Sequence, residues 1–546
     1  MRLKPDFLFK NGKFWTGSAA APSANFLSAS GGRILEVGTL ANPSENNSGV
    51  VVDLRGHFAM PGFIDAHTHF GMGGASLRQI DLRDSKSEKE MSARIKDFVK
   101  SHPAGKWLVG GNWDHENWKS RTIPSKELID PFTSSTPVFL DRLDSHMALV
   151  NSRALQIAGI TRDTPDPNGG VIVRDSNGEP TGIMKDSARE LVAGMIPEPS
   201  EDECIFDLKR AMKHASSLGV TTVHDISPQR HLNAIRVLKR RGELTVRFYF
   251  VPPLSDYMSL VDQGIEAARG QVCDEWLNLG AVKAFADGSL GSGTAWFFEP
   301  YEDDKTNSGI ATDLMSSGEL EKLAIIADRN HIQLAIHAIG DKAVSGVLDL
   351  FEKIRHENPP WERRFRIEHA QHVREADFSR FKELDVIASV QPYHCIDDGR
   401  WAERVIGTGR ARTTYAFRSF LAHRVALAFG TDWPVAPLNP LQGIYAAVTR
   451  ATTDGKNPDG WIAEQKIGVE DALRSYTLGA AYACFCENDR GTLEEGKLAD
   501  FVVLSRSPLE TRPDEIKDIK VLMTVAGGKI IFADDEFSEN HERQTS

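Results

Sequence analysis

The sequence predicts an α/β protein organised as a (β/α)8 barrel of the TIM type. It also predicts a large insertion after the first barrel strand and a small discontinuous β-sandwich formed from the two ends of the chain. Three observations carry this expectation. Eight short apolar runs recur along the chain, helical patterns separate most of them, and residues able to hold a metal or move a proton sit late in several runs. A barrel of this kind gathers its catalytic groups at the C-terminal ends of its strands.

The eight runs are Phe63–His69, Val220–Ile226, Thr245–Pro252, Gly280–Asp287, Gln333–Gly340, Arg364–Ala370, Val386–Pro392 and Val425–Asp432. Pro61-Gly62 punctuates the entry to the first. In a buried strand, His67 and His69 point to the same face, because side chains alternate with a period of two. Two neutral imidazoles at that spacing suit zinc or a similar divalent cation. Such a pair is commonly unremarkable by itself, so further ligands must come from other strands. Lys283, His337, His369 and Asp432 are the candidates, each late in its run and followed by a turn or loop signal. Between the fifth and sixth runs, Lys342 to Asn358 is apolar at Val344, Val347, Leu348, Phe351 and Ile354 and then meets Pro359. That spacing predicts a crossover helix with a stop.

About 150 residues separate the first run from the second, far more than a barrel loop needs. They predict an inserted subdomain over about residues 72–215 that covers the mouth of a barrel spanning 61–490. The ends of the chain read as short strands: residues 5–58 with turns at Asn11-Gly12 and Gly31-Gly32, and residues 500–534 around Gly527-Gly528. Neither end has enough strand to stand alone. Residues 1–60 and 491–546 are therefore expected to meet in one sandwich.

Composition narrows the function classes. A chain of 546 residues, 41% hydrophobic, buries a substantial core. Its formal charge of -12 and the absence of a basic stretch argue against nucleic acid as a partner. No run reaches the roughly 18 apolar residues of a membrane span, and the N-terminal stretch lacks the apolar core of a signal peptide. The expectation is a cytoplasmic enzyme with a small-molecule substrate and no membrane partner; a homodimer is compatible with the chain. Five cysteines, Cys204, Cys273, Cys395, Cys484 and Cys486, are too scattered for a disulfide framework. Cys484 and Cys486 read as small core thiols in an Ala-rich helical segment, with a metal or redox pair as the alternative.

Taken together, Pro61-Gly-Phe-Ile-Asp-Ala-His-Thr-His69, the downstream Lys283, His337, His369 and Asp432, and the closing Gly491-Thr-Leu-Glu-Glu-Gly-Lys-Leu-Ala-Asp500 resemble the amidohydrolase superfamily. More narrowly, Asn112-Trp-Asp-His-Glu-Asn-Trp118, Arg142-Leu-Asp-Ser-His146, Lys283-Ala-Phe-Ala-Asp-Gly-Ser289, Glu368-His-Ala-Gln371 and Thr431-Asp-Trp-Pro-Val435 resemble amidohydrolase family 3, the YtcJ-like branch that contains N-substituted formamide deformylase. The motifs are specific for the branch and poorly specific for substrate. One departure is visible: Asp144-Ser145-His146 stands where the branch pattern has Asp-Gly-His.

The resemblance implies a site of one or two divalent metals, most simply zinc. His67, His69 and Asp432 would hold one ion and His337 and His369 a second, with roughly 3.5–4 Å between them. A lysine ammonium, with a pKa near 10.4, repels cations. Lys283 is therefore implied to carry a carbamate that bridges the metals; the alternative is an unmodified salt-bridged or catalytic lysine beside a single ion. A bound cation lowers the pKa of water from about 15.7 to about 7, which makes a serine or cysteine nucleophile unnecessary. Asp432 is the expected catalytic residue, both a ligand and the carrier of a proton to the leaving nitrogen. Glu368 and Asp65 lie beside ligands but face away by strand alternation, as groups that support the ligands from behind.

For substrate contacts, Trp113, His115, Arg142 and His146 in the insertion are candidates for an apolar pocket with polar anchors. Core packing is an equal reading for Trp113 and for Trp118. Gln391 and His394 follow the seventh run at the metal-bearing rim; Arg412 and Trp433 join them, with helix capping or lid packing as their alternative. Three functions follow. The first is metal-dependent hydrolysis of an amide-type C–N bond in an N-acyl or N-formyl amine or a cyclic amide. The second is hydrolysis of an ester or carbamate by the same residues. The third is a regulatory protein that retains the fold for binding, since the branch also resembles a plant far-red light-signalling protein.

Overall fold

A computed structural model describes residues 4–39, 49–102, 105–256 and 274–538. All eight apolar runs form strands: β1 (Phe63–Thr68), β2 (Val220–Asp225), β3 (Arg247–Phe250), β4 (Ala281–Phe285), β5 (Gln333–Ala338), β6 (Arg366–His369), β7 (Ile387–Val390) and β8 (Leu427–Phe429). Nearly every residue in them is buried on both faces, as expected for parallel strands covered by helices. The crossover helix Asp341–Glu357 buries Val344, Val347, Leu348, Phe351 and Ile354. It stops where Asn358, already extended, precedes Pro359. The helix Glu201–Ser217 leads into β2 and starts with a capping box between Ser200 and Glu203.

The hydrogen-bond ladder is not one closed barrel. It forms two parallel sheets, one with β1, β2 and β3 followed by an edge strand Leu277–Leu279, the other running from β4 through β8 in sequence order. The sheets touch at two seams through single bridges, Thr68 with Trp433 and Pro253 with Lys283. At the first seam the Asp432 amide donates to the His67 carbonyl at 2.7 Å; at the second, the Lys283 amide donates to the Pro252 carbonyl at 2.8 Å. The ladder opens because Leu277–Leu279 takes the free edge of β3 and because β8 is only three residues long.

The ends of the chain form two further sheets. One holds Arg33–Gly38, Phe26–Ser30, Phe7–Lys10 and Val50–Asp53; the other joins Lys529–Ala533, Val521–Ala526 and Phe501–Leu504 to Phe58–Pro61, Lys13–Trp15 and Ser23–Ala24. Phe9, Phe14, Leu27, Phe501, Val503 and Met523 share one apolar cluster between them. Phe501 pairs with Pro61 in antiparallel register, so the C-terminal segment grips the chain immediately before β1. Between β1 and β2 lies a six-stranded mixed sheet in the order Gly170–Arg174, Pro180–Asp186, Met147–Val150, Val138–Arg142, Leu108–Trp113 and Ile80–Asp81. Among the described residues no helix is long and apolar enough to cross a membrane. The described cysteines Cys204, Cys395, Cys484 and Cys486 are free and buried; Cys273 lies outside the described residues.

Arg247, fully buried on β3, donates from Nε to Asp500 Oδ2 at 2.6 Å and from Nη2 to Oδ1 at 2.9 Å. Burial alone raises a carboxyl's pKa, but Arg247 outweighs it here and holds Asp500 below its ordinary range. A carboxyl depressed on folding contributes stability above its unfolded pKa of ~3.9 and loses it as pH falls through the lower folded value. Asp500→Ala leaves the guanidinium buried and unpaired and is expected to cost about 3–5 kcal/mol, read as a lower thermal midpoint at pH 7. The difference from wild type should narrow below about pH 4, and a midpoint unchanged at pH 7 would refute the strut.

Candidate metal centre

The residues that gather at the strand ends come from both sheets. His67 Nε2 lies 3.4 Å and His69 Nε2 3.2 Å from Asp432 Oδ1. His394 Nε2 lies 3.9 Å from the other oxygen, Oδ2. Two sets of donor atoms are compact enough to hold a cation: His67, His69 and Asp432, and His369, His394 and Asp432, each within 4.8 Å. Asp432 belongs to both. His67 Nε2, His369 Nδ1, His394 Nε2, Asp432 Oδ1 and Lys283 Nζ are buried without a hydrogen bond. Buried polar atoms normally find partners, and leaving several unsatisfied in one place is costly. A divalent cation satisfies nitrogen and carboxylate lone pairs of this kind, so the donor set fits one.

The lone pairs are aimed from behind. Glu368 Oε2 lies 2.6 Å from His67 Nδ1, which places the proton on Nδ1 and leaves Nε2 as an acceptor. The Ile226 carbonyl does the same for His69 from 2.9 Å. Glu368 is itself bound by Arg366 Nε at 2.8 Å and Ser389 Oγ at 2.7 Å. Arg366 continues to the Ala66 carbonyl at 2.6 Å and His224 Nδ1 at 2.9 Å. Asp65 accepts from the backbone amides of His67 at 3.1 Å and Thr431 at 2.9 Å, and from the Thr431 hydroxyl. His369 and Asp432 adopt φ values of 72° and 62°. This left-handed conformation costs a non-glycine residue on the order of 1 kcal/mol or more and turns both side chains inward from strand ends.

Two expected ligands differ from the rest. His337 points Nε2 at the Gly288 carbonyl, 3.0 Å away, with Asp287 Oδ1 at 3.5 Å. That nitrogen is a donor to the protein, and only Nδ1 remains for a cation. His337 belongs to neither compact set, although its ring lies 4.5 Å from that of His369. His394, expected as a substrate contact, stands in the place assigned to His337 in the second set. The sequence hides this because His394 lies on the helix Pro392–Asp398 that follows β7, not on a strand. Lys283 is enclosed, and burial pushes its ammonium pKa down to about 8 against the pull of Glu368 and Asp432.

A cavity of about 620 Å³ opens above this floor, lined by His69, Lys283, His337, His369, His394 and Asp432 below and by residues of the insertion above. Arg142 and His146 face it. Arg142 is already engaged by Asp114 at 2.9 Å and Asp144 at 2.8 Å, and His146 Nδ1 by Asp186 Oδ1 at 2.7 Å. The other expected contacts do not line it. Trp113 is fully buried in the core of the inserted sheet, its indole donating to the Leu140 carbonyl at 2.8 Å and packing near Trp118. His115 sits behind Arg142, and burial together with that guanidinium pushes its pKa down to about 4. Gln391 turns inward to the Ser389 carbonyl, and Trp433 packs on Phe70 and His214. Arg412 is an exposed residue closing the helix Ala402–Ala411. Asp186, Asp287 and Asp398 line the cavity without having been singled out from sequence. Asp287 alone carried a signal, four residues after Lys283 in the same motif.

Two compact histidine–aspartate sets gathered beyond the ends of parallel strands, beneath a cavity, fit the class of metal-dependent α/β hydrolases. The chain belongs to the amidohydrolase family, whose model matches residues 50–532. It is 39% identical to Protein LONG AFTER FAR-RED 3 of Arabidopsis thaliana over 96% of this chain and 91% of that one. It is 31% identical to the putative amidohydrolase YtcJ of Bacillus subtilis, over 88% and 90%, and 27% identical to the N-substituted formamide deformylase of Arthrobacter pascens, over 96% and 97%. An uncharacterized metal-dependent hydrolase from Pyrococcus horikoshii superposes with a TM-score of 0.75 at 31% identity, covering 93% of this chain and 99% of that chain. The chain is thus a metal-dependent hydrolase of amidohydrolase type.

Gly430 ends β8 beside the floor, where a Cβ would fall 2.4 Å from the His67 amide nitrogen and 2.8 Å from its Cβ. Backbone cannot yield there without moving His67. Gly430→Ala is expected to fold yet bind zinc at least 10-fold more weakly, the scale of losses from disturbed ligand support, as titrated with a chromogenic chelator. Wild-type affinity would contradict the assigned role of His67.

Proposed function

We propose that the protein hydrolyses an amide-type C–N bond of a small molecule, an N-acyl or N-formyl amine or a cyclic amide, at the floor formed by His67, His69, Lys283, His337, His369, His394 and Asp432. The observation that carries this reading is the pair of compact donor sets that share Asp432 on the floor of the cavity, with the buried atoms of His67, His369, His394 and Asp432 left without hydrogen bonds. Kinship to a formamide deformylase supports the choice of bond. A protein kept only as a binding scaffold would be free to lose such costly atoms, and this chain has kept them. The eight parallel strands are read as a (β/α)8 barrel, the inserted sheet as its cover and the terminal sheets as one sandwich. The location is taken to be cytoplasmic.

One or two divalent ions, zinc in the first instance, would be held by the two compact sets, with Asp432 shared. A bound cation of this kind supplies an acidic water and polarises a carbonyl. Asp432 presents Oδ1 to His67 and His69 and Oδ2 to His394. It therefore spans the floor, and in this reading it takes a proton from the attacking water and returns it to the leaving nitrogen, which departs poorly as an anion. Glu368 keeps His67 in one tautomer throughout. Lys283, with its pKa brought down to about 8, is readily deprotonated, and the neutral amine is the form that reacts with CO2 to give a carbamate.

Hydrolysis is checked by following amine release from a panel of N-formyl and N-acyl arylamines with zinc- or manganese-loaded protein. Asp432→Asn is expected to lower kcat by at least about 100-fold, the lower end for removal of an acid–base group, with the histidine donors of both sets left in place. Turnover within about tenfold of wild type would remove Asp432 as the proton carrier.

A further inference from the structure

The carboxylates that line the cavity are not equivalent. Asp114 is bound by Arg142 at 2.9 Å and Arg400 at 3.0 Å, and Asp144 by Arg142 at 2.8 Å. Asp186 meets His146 at 2.7 Å, and Asp397 meets Arg400 at 2.7 Å. Asp287 accepts from the backbone amides of Trp296, Ile339 and Gly340 at 2.8, 3.0 and 2.8 Å. Asp432 belongs to the floor. Glu190 and Asp313 also line the cavity but are solvent-exposed; among the carboxylates sheltered from solvent, Asp398 is the exception. It ends the helix Pro392–Asp398, one turn beyond His394, and receives only two neutral donors, the Tyr415 hydroxyl at 2.6 Å and Gln371 Nε2 at 2.9 Å, both on Oδ2. Arg142 and Arg400, the nearest guanidiniums, are committed to other carboxylates, and neither comes within ion-pair distance of it.

A carboxylate fixed through one oxygen by two donors, with no cation, presents the other oxygen as an unanswered charge. Burial pushes the Asp398 carboxyl up to about 7; the Tyr415 hydrogen bond opposes it, the neighbouring Asp397 charge adds to the rise, and Arg142 and Arg400 pull the other way. Tyr393 and Trp401, from the same stretch of chain, also line the cavity. A carboxylate and aromatic rings lining one cavity suit an organic ammonium group, which gains a charge-assisted hydrogen bond from the carboxylate and quadrupole attraction from a ring it meets. Apolar lining such as Phe285, 38% exposed yet facing the cavity beside Lys283, leaves room for a hydrophobic body on the same ligand.

We propose that Asp398 is the recognition residue for a protonated amine on the substrate, so that the molecule taken by this cavity is an amide carrying an ammonium group about one helical turn from the bond to be cleaved. The proposal rests on the hydrolytic reading for the word amide, and on the pairing of the other sheltered carboxylates for the word ammonium.

The test separates the two. Binding of 2-phenylethylammonium and of 2-phenylethanol, equal in size and differing in charge, is measured by calorimetry at pH 7.5 on the metal-loaded wild type and on Asp398→Asn. Wild type is expected to bind the ammonium about 10–100-fold more tightly, the usual scale of one hydrogen bond to a charged group, and Asp398→Asn to lose that preference. Equal affinities in wild type overturn the proposal whatever the variant does, including a failure of the variant to fold. A preference that survives in Asp398→Asn overturns the assignment to this residue. Amine release is then followed from an N-acyl arylamine bearing an aminomethyl group and from its hydroxymethyl counterpart. Absence of hydrolysis of both, with ammonium-selective binding intact, refutes the amide reading alone.

Discussion

The contact between Glu368 and His67 is the constraint on which the rest of the centre depends. Both side chains are fully buried and lie 2.6 Å apart, where a carboxylate is costly unless it is answered by charge and hydrogen bonds. Arg366 answers it with charge, and Ser389 with a hydroxyl. Glu368 cannot be replaced by a small apolar residue without leaving Arg366 buried and alone, nor can His67 rotate without stranding Glu368. The tautomer of the first expected ligand is thus set by residues of β6 and β7, on the opposite sheet from the strand that carries it. Arg366 strengthens the link by reaching the Ala66 carbonyl on β1.

This arrangement gives the discontinuous architecture a purpose at atomic scale. The two parallel sheets meet in single bridges, one of them at Thr68 and Trp433 and the other at Lys283. Four of the expected ligands, His67, His69, Lys283 and Asp432, therefore lie at or beside the seams, where the Asp432 amide reaches the His67 carbonyl and the Lys283 amide the Pro252 carbonyl, while His337 and His369 sit on interior strands of the second sheet. The terminal sheets hold the entrance to the first seam: Phe58–Pro61 pairs with Phe501–Leu504, and the Gly62 amide then donates to the Asp500 carbonyl at 3.0 Å. Asp500 in turn anchors Arg247 on β3. Contacts made by the last part of the chain thus constrain the strand that carries His67 and His69.

Much of this was legible in the sequence because strands and ligands have strong periodic signatures. The eight apolar runs, the His67–His69 spacing and the helix ending before Pro359 each follow from local chemistry, and each appears as an element where that chemistry puts it. The open seams were not legible, since edge pairing by Leu277–Leu279 is decided by tertiary competition for the side of β3. Nor was His394, whose distance from β7 gives no strand alternation to read. For Trp113 and Trp433 the sequence left pocket lining and packing open, because aromatic residues beside polar motifs suit either, and both rings are packed inside the protein. Asp398 carried no motif at all; its exceptional position emerges only once the other cavity carboxylates sheltered from solvent are seen to be held by arginine, histidine or backbone amides.

The central claim is that His67, His69 and Asp432, and His369, His394 and Asp432, are arranged to hold divalent cations. Counting metal atoms per chain by plasma mass spectrometry, in wild type and in His67→Ala, tests it most directly. The account predicts one or two divalent ions per wild-type chain and a clear loss in the variant. A wild-type protein that holds none after reconstitution with zinc or manganese, or a His67→Ala protein with an unchanged metal content, would contradict it.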